Sequence, residues 1–318
     1  MRRLSFIIAL ALALTACHSG DKDDAAQQQT KTDSLATVAP DGWRIAVMPT
    51  LDCLPLFLAS DHGFFERHGL SVVLSRYESQ MDIDTALQQH AVDGAMTDLV
   101  RAARLEREGL ILRRVAATDA AWQLLSKRTA RIRQLKQLDD KMVAMTRYSA
   151  TDMLADIAVD SALLRSERVF RIQVNSVAVR LGMLQTDIMD AMFLPEPQAT
   201  TARNLKANVL MDTRKMGLRL GVMAFAEDAL QGKDNQLRKL RMAFDEAADS
   251  LNHYGCQAYA DLIMRYTGAS ISTIDSLAAT APHFSHMEEP DRNDVKRVND
   301  WWQKRLESMR YVEKRYIQ

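Results

Sequence analysis

Hydroxyl, carboxylate and guanidinium side chains recur in this chain just after short apolar runs, and in an open α/β sheet ligands lie beyond the carboxyl ends of strands. That rule selects Thr50 and Asp52 after WRIAVM, and Thr97 and Asp98 at the end of DGAMTD. It also selects Arg147, Tyr148, Ser149 and Thr151 after KMVAM, and Phe193 and Glu196 at the end of DAMFLPE. Ser149 or Thr151 is placed to cap a helix, whose free N–H groups and positive dipole end favour an anionic or strongly polar ligand group. Arg147 would add a forked donor beside them. Asp52, Asp98 and Glu196 oppose a bare anion, so the set favours a ligand with donor groups, such as an amine or aminopyrimidine, with any acidic group facing Arg147. Each carboxylate reads equally well as a helix cap, Arg147 as a solvent-facing side chain, and Tyr148 and Phe193 as core residues rather than stacking platforms.

Strand-like runs at 43–48, 70–74, 92–96, 111–117, 141–145, 170–174 and 188–194 position these residues, with helix-length segments between most of them. Such β/α alternation predicts a parallel sheet, and after about Ala226 the composition turns helical. Two stretches repeat a pattern. LQQHAVDGAMTD (87–98) and LQTDIMDAMFLPE (184–196) each run Leu-Gln, four residues, Asp, then a short apolar strand ending in an acid. Each follows a strand and a helix, so one β-α-β unit is expected twice, once per lobe. In the second copy, Pro195 has no N–H to continue a strand and Pro197 is suited to the first turn of a helix.

The 41 basic residues balance the 41 acidic ones without a long single-sign run, which gives no footprint for nucleic acid. Catalytic signatures are missing: no Gly-x-Ser-x-Gly, His-Glu-x-x-His, phosphate-binding glycine loop or Cys-x-x-Cys occurs. HFSHMEE brings His283, His286, Glu288 and Glu289 together, and it reads as a surface loop rather than a metal site. No cofactor is expected.

The chain begins Met-Arg-Arg, continues with an apolar run over 4–16, and closes it with Leu-Thr-Ala-Cys. A basic start and an apolar stretch shorter than the roughly 20 residues of a membrane span describe an export signal. The ending resembles the lipobox of bacterial lipoproteins, which makes Cys17 the expected lipid attachment and places the protein in the cell envelope, periplasmic or surface-facing. Residues 17–40 are polar and without aromatics, as in a tether. Cys53 and Cys256 are left either as separate thiols or as a bridge.

Four stretches carry a family resemblance: RIAVMPTLDCLPLFLASDHGFFERHGLSVVL, AVDGAMTDL, LDDKMVAMTRYSATDML and VAVRLGMLQTDIMDAMFLPEPQATTA. In order and spacing they resemble the solute-binding proteins of nitrate, sulfonate, taurine and thiamine-pyrimidine importers, which have the periplasmic binding protein type 2 fold. The resemblance implies two α/β lobes joined by two crossover strands, near 121–127 and 218–225. Residues 41–122 would begin lobe 1, 123–222 form lobe 2, and 223–318 return to lobe 1 with the C-terminal helices. It implies a monomeric, non-enzymatic receptor that closes on a small polar organic solute and delivers it to an ABC transporter permease. The alternatives are an enzyme on the same fold, of pyrimidine-synthase or menaquinone-pathway type, and a sensor component.

Overall fold

The computed structural model describes residues 42–316 except residue 187; the expected signal peptide, Cys17 and the tether lie outside the described residues. In chain order, β1 (Trp43–Val47), α1 (Leu54–Asp61), α2 (Phe64–Arg67), β2 (Val72–Arg76), α3 (Gln80–Gln88), β3 (Gly94–Asp98), α4 (Leu99–Arg107) and β4 (Leu112–Ala117) come first. Next are β5 (Trp122–Ser126), β6 (Lys141–Met145), α5 (Ala150–Ser161), β7 (Val169–Gln173), α6 (Val177–Gly182), β8 (Ala191–Pro195), α7 (Gln198–Asn204) and β9 (Asn208–Asp212). β10 (Gly221–Ala226) leads into α8 (Glu227–Leu230), α9 (Asp234–Ala258), α10 (Ala260–Thr267), α11 (Ile271–Ala278) and α12 (Arg292–Tyr316).

The strands form two five-stranded sheets with matching orders, β2-β1-β3-β10-β4 and β7-β6-β8-β5-β9. In each, the first three strands are parallel and the fourth runs antiparallel to both neighbours. That fourth strand is always the one that has just crossed from the other sheet. The chain leaves the first sheet after Ala117 and joins the second at Trp122; it leaves the second after Asp212 and rejoins the first at Gly221. These are the two lobes and two crossovers of the periplasmic binding protein type 2 fold.

The local sequence explains the layout. β3 and β8 sit at the centre of their sheets with every residue buried, so GAMTD and AMFLP are nearly unbroken apolar or small runs. α1 is apolar all round because Leu54 to Ala59 are all buried, with α2, α9, α10 and β2 packed about it. Gly221 starts β10 where the crossovers touch: a Cβ there would collide with Thr118 Oγ1 and come within 2.6 Å of the Ala120 Cβ. Only glycine lets the returning strand pass so close.

The helices after β10 divide their contacts. α9 packs on α1 and α2, and α11 on α7 and α9. α12 reaches both lobes: Trp302 Nε1 donates to Val100 O of α4 at 3.0 Å, and Trp301 Nε1 donates to Asp156 Oδ2 of α5 at 2.7 Å. The Trp302 ring also stacks on Tyr148, with centroids 5.8 Å apart and planes at 16°.

Candidate functional site

The carboxyl ends of β1, β3, β6 and β8 converge between the sheets, and each ends in a turn that the sequence dictates. After β1, Thr50 leads into a turn of 3-10 helix over Leu51–Cys53, and the Asp52 carboxylate accepts from Thr118 Oγ1 at 3.2 Å. After β3, Asp98 is the N-cap of α4, its Oδ1 accepting from Arg101 N at 2.9 Å. The same oxygen accepts from Ala150 N at 3.0 Å, the first residue of α5 in the other lobe. After β6, Ser149 caps α5 by accepting from Thr151 N at 3.1 Å, while its own hydroxyl donates to Thr146 O at 2.7 Å.

A cavity of about 40 Å³ lies between these turns, with Thr50, Asp52, Thr97, Asp98, Ser149 and Thr151 among its walls. A second cavity of about 380 Å³ adjoins it on the crossover side. The two share Asp52, Ala120 and Pro195 as walls, and the second is bounded further by Glu196, Arg214 and the crossover residues Asp119 and Arg219.

Burial sets the electrostatics. The Asp98 carboxyl is pushed up to about 6 by loss of solvent, against the charge of Arg101 and the two amides that favour its ionised form. The Arg101 guanidinium itself is engaged by the Asp84 carboxylate, so Asp98 receives its backbone N–H and not its fork. Burial also raises the Asp52 carboxyl and, beside it, the Cys53 thiol.

Four of the residues selected from strand ends do not line the inner cavity. Arg147 is exposed. Tyr148 takes a left-handed φ of 56°, donates its N–H to Asp152 Oδ2 at 2.9 Å and lays its ring on Trp302. At Tyr148 the turn therefore leans on α12, while Ser149 and Thr151 beside it line the cavity. Phe193 is fully buried in the second lobe's core, because alternation along β8 sends Met192 and Leu194 to one face and Phe193 to the other. Glu196 borders the outer cavity, where Thr200 N and Thr200 Oγ1 donate to its Oε2 at 3.0 and 2.7 Å and Arg203 pairs with Oε1 at 2.9 Å.

Strand-end reasoning also overlooked residues that do line the inner cavity. Gln80 comes from the first turn of α3 and Arg180 from within α6, neither of them at a strand's carboxyl end. A long polar side chain inside VAVRLGML, an otherwise apolar helical run, was the available signal for Arg180. Three buried atoms around this cavity lack any hydrogen-bond partner: Thr97 Oγ1 and Gln80 Oε1 on the first lobe's side, and Arg180 Nε on the second's. Among the described residues no group of three or more His, Cys, Asp or Glu is placed to hold a metal ion. Cys53 and Cys256 are separate buried thiols.

The family model described as NMT1/THI5 like matches residues 50–251. The chain belongs to the NMT1/THI5-like family. No curated protein matches it in sequence. Among solved structures, this NMT1/THI5-like chain is similar to the periplasmic aliphatic sulphonate binding protein SsuA from Escherichia coli, at 17% identity and TM-score 0.70, covering 84% of this chain and 89% of that one. It is similar to the alkanesulfonate-binding protein SsuA from Xanthomonas axonopodis pv. citri bound to MOPS, at 15% identity and TM-score 0.72, covering 84% and 94%. The periplasmic nitrate-binding protein NrtA from Synechocystis PCC 6803 follows at 13% identity and TM-score 0.64, covering 78% and 74%. At such identities the likeness establishes the shared two-lobed fold.

Proposed function

We propose that this protein is an extracytoplasmic receptor that captures a small polar organic solute between its lobes and hands it to an ABC importer. The observation that carries this reading is the set of unpartnered polar atoms on both walls of the interlobe cavity, Thr97 Oγ1, Gln80 Oε1 and Arg180 Nε. Buried polar groups are normally satisfied, and leaving one unpaired costs about 1–3 kcal/mol, so groups of this kind on facing lobes suit a ligand that pairs with them. The membership of the family and the periplasmic binding proteins that share the fold support the same reading.

In this reading Cys17 carries the lipid, residues 17–40 are the tether, the protein acts as a monomer, and its partner is a membrane permease. In this reading the chemistry is binding and not turnover, as in the periplasmic binding proteins that share the fold. Residues proposed to line the solute are Thr50, Asp52, Thr97, Asp98, Ser149 and Thr151, with Gln80 and Arg180 added from the cavity. The test is a thermal-shift panel of amines, pyrimidines, sulfonates and amino acids on the full chain in detergent, beside native mass spectrometry of the protein as isolated. One class should raise the melting temperature, or a small molecule should copurify. A flat panel with nothing copurified would remove the receptor reading, and conversion of a panel member would favour an enzyme.

A further inference from the structure

The strand that enters each lobe from the other finishes at the outer end of its sheet, remote from the cleft, and the two lobes differ in charge there. Lys127 N donates to Asp190 O at 3.2 Å and Ala226 N to Asp93 O at 3.0 Å, so β5 and β10 finish at equivalent places beside the start of the central strand. After β10 the chain reads EDALQGKD; at the end of β5 it reads KRTARIRQLKQL, with five cations and no acid. Ile132 and Leu138 anchor this loop in the second lobe's core, and Ser126 Oγ donates to Ile132 O at 2.6 Å. Arg128, Arg131, Arg133 and Lys136 are left exposed, and among the described residues none of the four side chains pairs with a carboxylate. The acid that follows, Asp139, is taken by Arg168, whose Nε and Nη2 donate to it at 3.0 and 2.7 Å. Asp140 and Glu167, exposed on the adjoining turns, offset part of the surplus. The Arg168 contact also ties the loop to the turn after α5, where Leu163 is 88% exposed. Met142 and Phe170, register partners at the amino ends of β6 and β7, are exposed at the same end.

We propose that the outer end of the second lobe rests on an anionic lipid surface, with Arg128, Arg131, Arg133 and Lys136 over the headgroups and Leu163 among them. Unpaired cations beside exposed apolar side chains suit such a surface, because headgroup charge and acyl boundary are met together. A soluble polyanion would use the cations alone. The proposal depends on the envelope location and the lipid at Cys17 proposed above, and not on which solute is bound. A lipid anchor keeps the bilayer at a high effective concentration, so a weak surface contact suffices. The tether joins the first lobe at β1, and one flexible attachment does not orient the molecule. A second contact on the other lobe lays both lobes along the membrane, beside a permease.

The test uses the full lipidated chain in vesicles of phosphatidylcholine, alone or with about 30% phosphatidylglycerol. A fluorophore on Thr129→Cys reports approach to a quencher on the lipid headgroups, and one on Gln231→Cys reports the equivalent end of the first lobe. The Thr129 probe should be quenched in the anionic vesicles, more than the Gln231 probe, and should recover in about 0.5 M salt, where charges are screened within a few ångströms. Neutralising each of the four cations to Gln should weaken the contact ~5-fold, the worth of one Lys or Arg at an anionic leaflet, and the four together should abolish it. Leu163→Ser should weaken it and leave the salt dependence. Equal quenching in neutral and anionic vesicles, equal quenching of the two probes, or contact that survives salt would overturn the proposal without recourse to any cation variant. Soluble polyglutamate that binds the loop where anionic vesicles do not would assign it to an acidic protein and overturn it too. Intact mass reports the lipid on Cys17 separately; a chain without it is scored by flotation on the same two vesicle types, where failure to prefer the anionic one counts against the proposal alone.

Discussion

The two lobes share one topology, and they use the acid at the end of the central strand in different ways. The repeated aspartates that open the strand do one job twice. Asp93 Oδ2 accepts from Arg44 N at 2.6 Å and Asp190 Oδ2 accepts from Met142 N at 2.9 Å, in each case the second residue of the neighbouring strand. At the other end the copies part. Asp98 is followed directly by α4, so a short side chain caps the helix and its oxygen is left at the lobe seam to accept from Ala150 N. In the second lobe Glu196 and Pro197 stand between β8 and α7, and the longer glutamate turns back along its own helix to Thr200 and Arg203. The seam then receives its backbone instead, with Glu196 O accepting from Leu51 N at 2.8 Å. Two residues between strand and helix separate a cleft-facing carboxylate from a structural one.

Neutralising the two acids should therefore act with opposite signs. The fold holds the Asp98 carboxyl at about 6, above the roughly 3.9 of an unfolded chain. Its contribution to stability is complete below about pH 4 and is lost as the pH rises to about 6, a difference of about 3 kcal/mol. Asp98→Asn keeps an oxygen for both amides and removes the charge. Urea titrations should find it level with wild type at pH 4 and more stable by up to that amount at pH 7. Parallel curves for the two proteins across this range would break the contrast.

Glu196→Gln should do the reverse. It removes a buried charge from its pairing with Arg203, which is itself about a quarter exposed, so the loss is discounted to about 2 kcal/mol at pH 7. Thr200 and Gln123 still hold the Arg203 fork, which limits the damage further. Solute affinity should stay within about twofold, while Asp98→Ala should lower it more. If Glu196→Gln stabilises the fold, or costs more affinity than Asp98→Ala, the two acids have been assigned the wrong way round.

Much of this arrangement was legible from periodicity and punctuation. The strand over residues 141–145 has the bounds expected from KMVAM, and the other strands expected from the sequence lie within about three residues of their structural positions, since a buried parallel strand is a run of apolar residues. β9 went unread, because NVLMD is short, polar at both ends and half-buried, and it follows α7 without a glycine or proline to announce it. The site was legible where a residue's position on the chain also decides its direction: Asp98 and Ser149 are caps, and a cap must face the helix end it serves. It was illegible where distant elements decide. Arg147 is exposed because the turn beside it is held by α12, more than a hundred residues later, and Arg180 enters the cavity from the body of a helix. Neither α12's course across both lobes nor the depth of α6 against the cleft is written in the local sequence.

The smallest expected effect bears on the part of the comparison where the lobes agree. If Asp93 and Asp190 hold equivalent strands by one side-chain acceptor each, Asp93→Ala and Asp190→Ala should each cost about 1 kcal/mol, the net worth of one hydrogen bond. Asp93 also lies 3.5 Å from the Arg44 Nε, but both side chains are partly exposed, so that pairing adds little. Equilibrium unfolding at neutral pH should place the two variants within about 0.5 kcal/mol of each other, with the double variant close to the sum, because distant sites act independently. A large inequality would mean that one lobe depends on this contact and the other does not. The repeated Leu-Gln-x4-Asp pattern would then mark a similarity of sequence without a similarity of task.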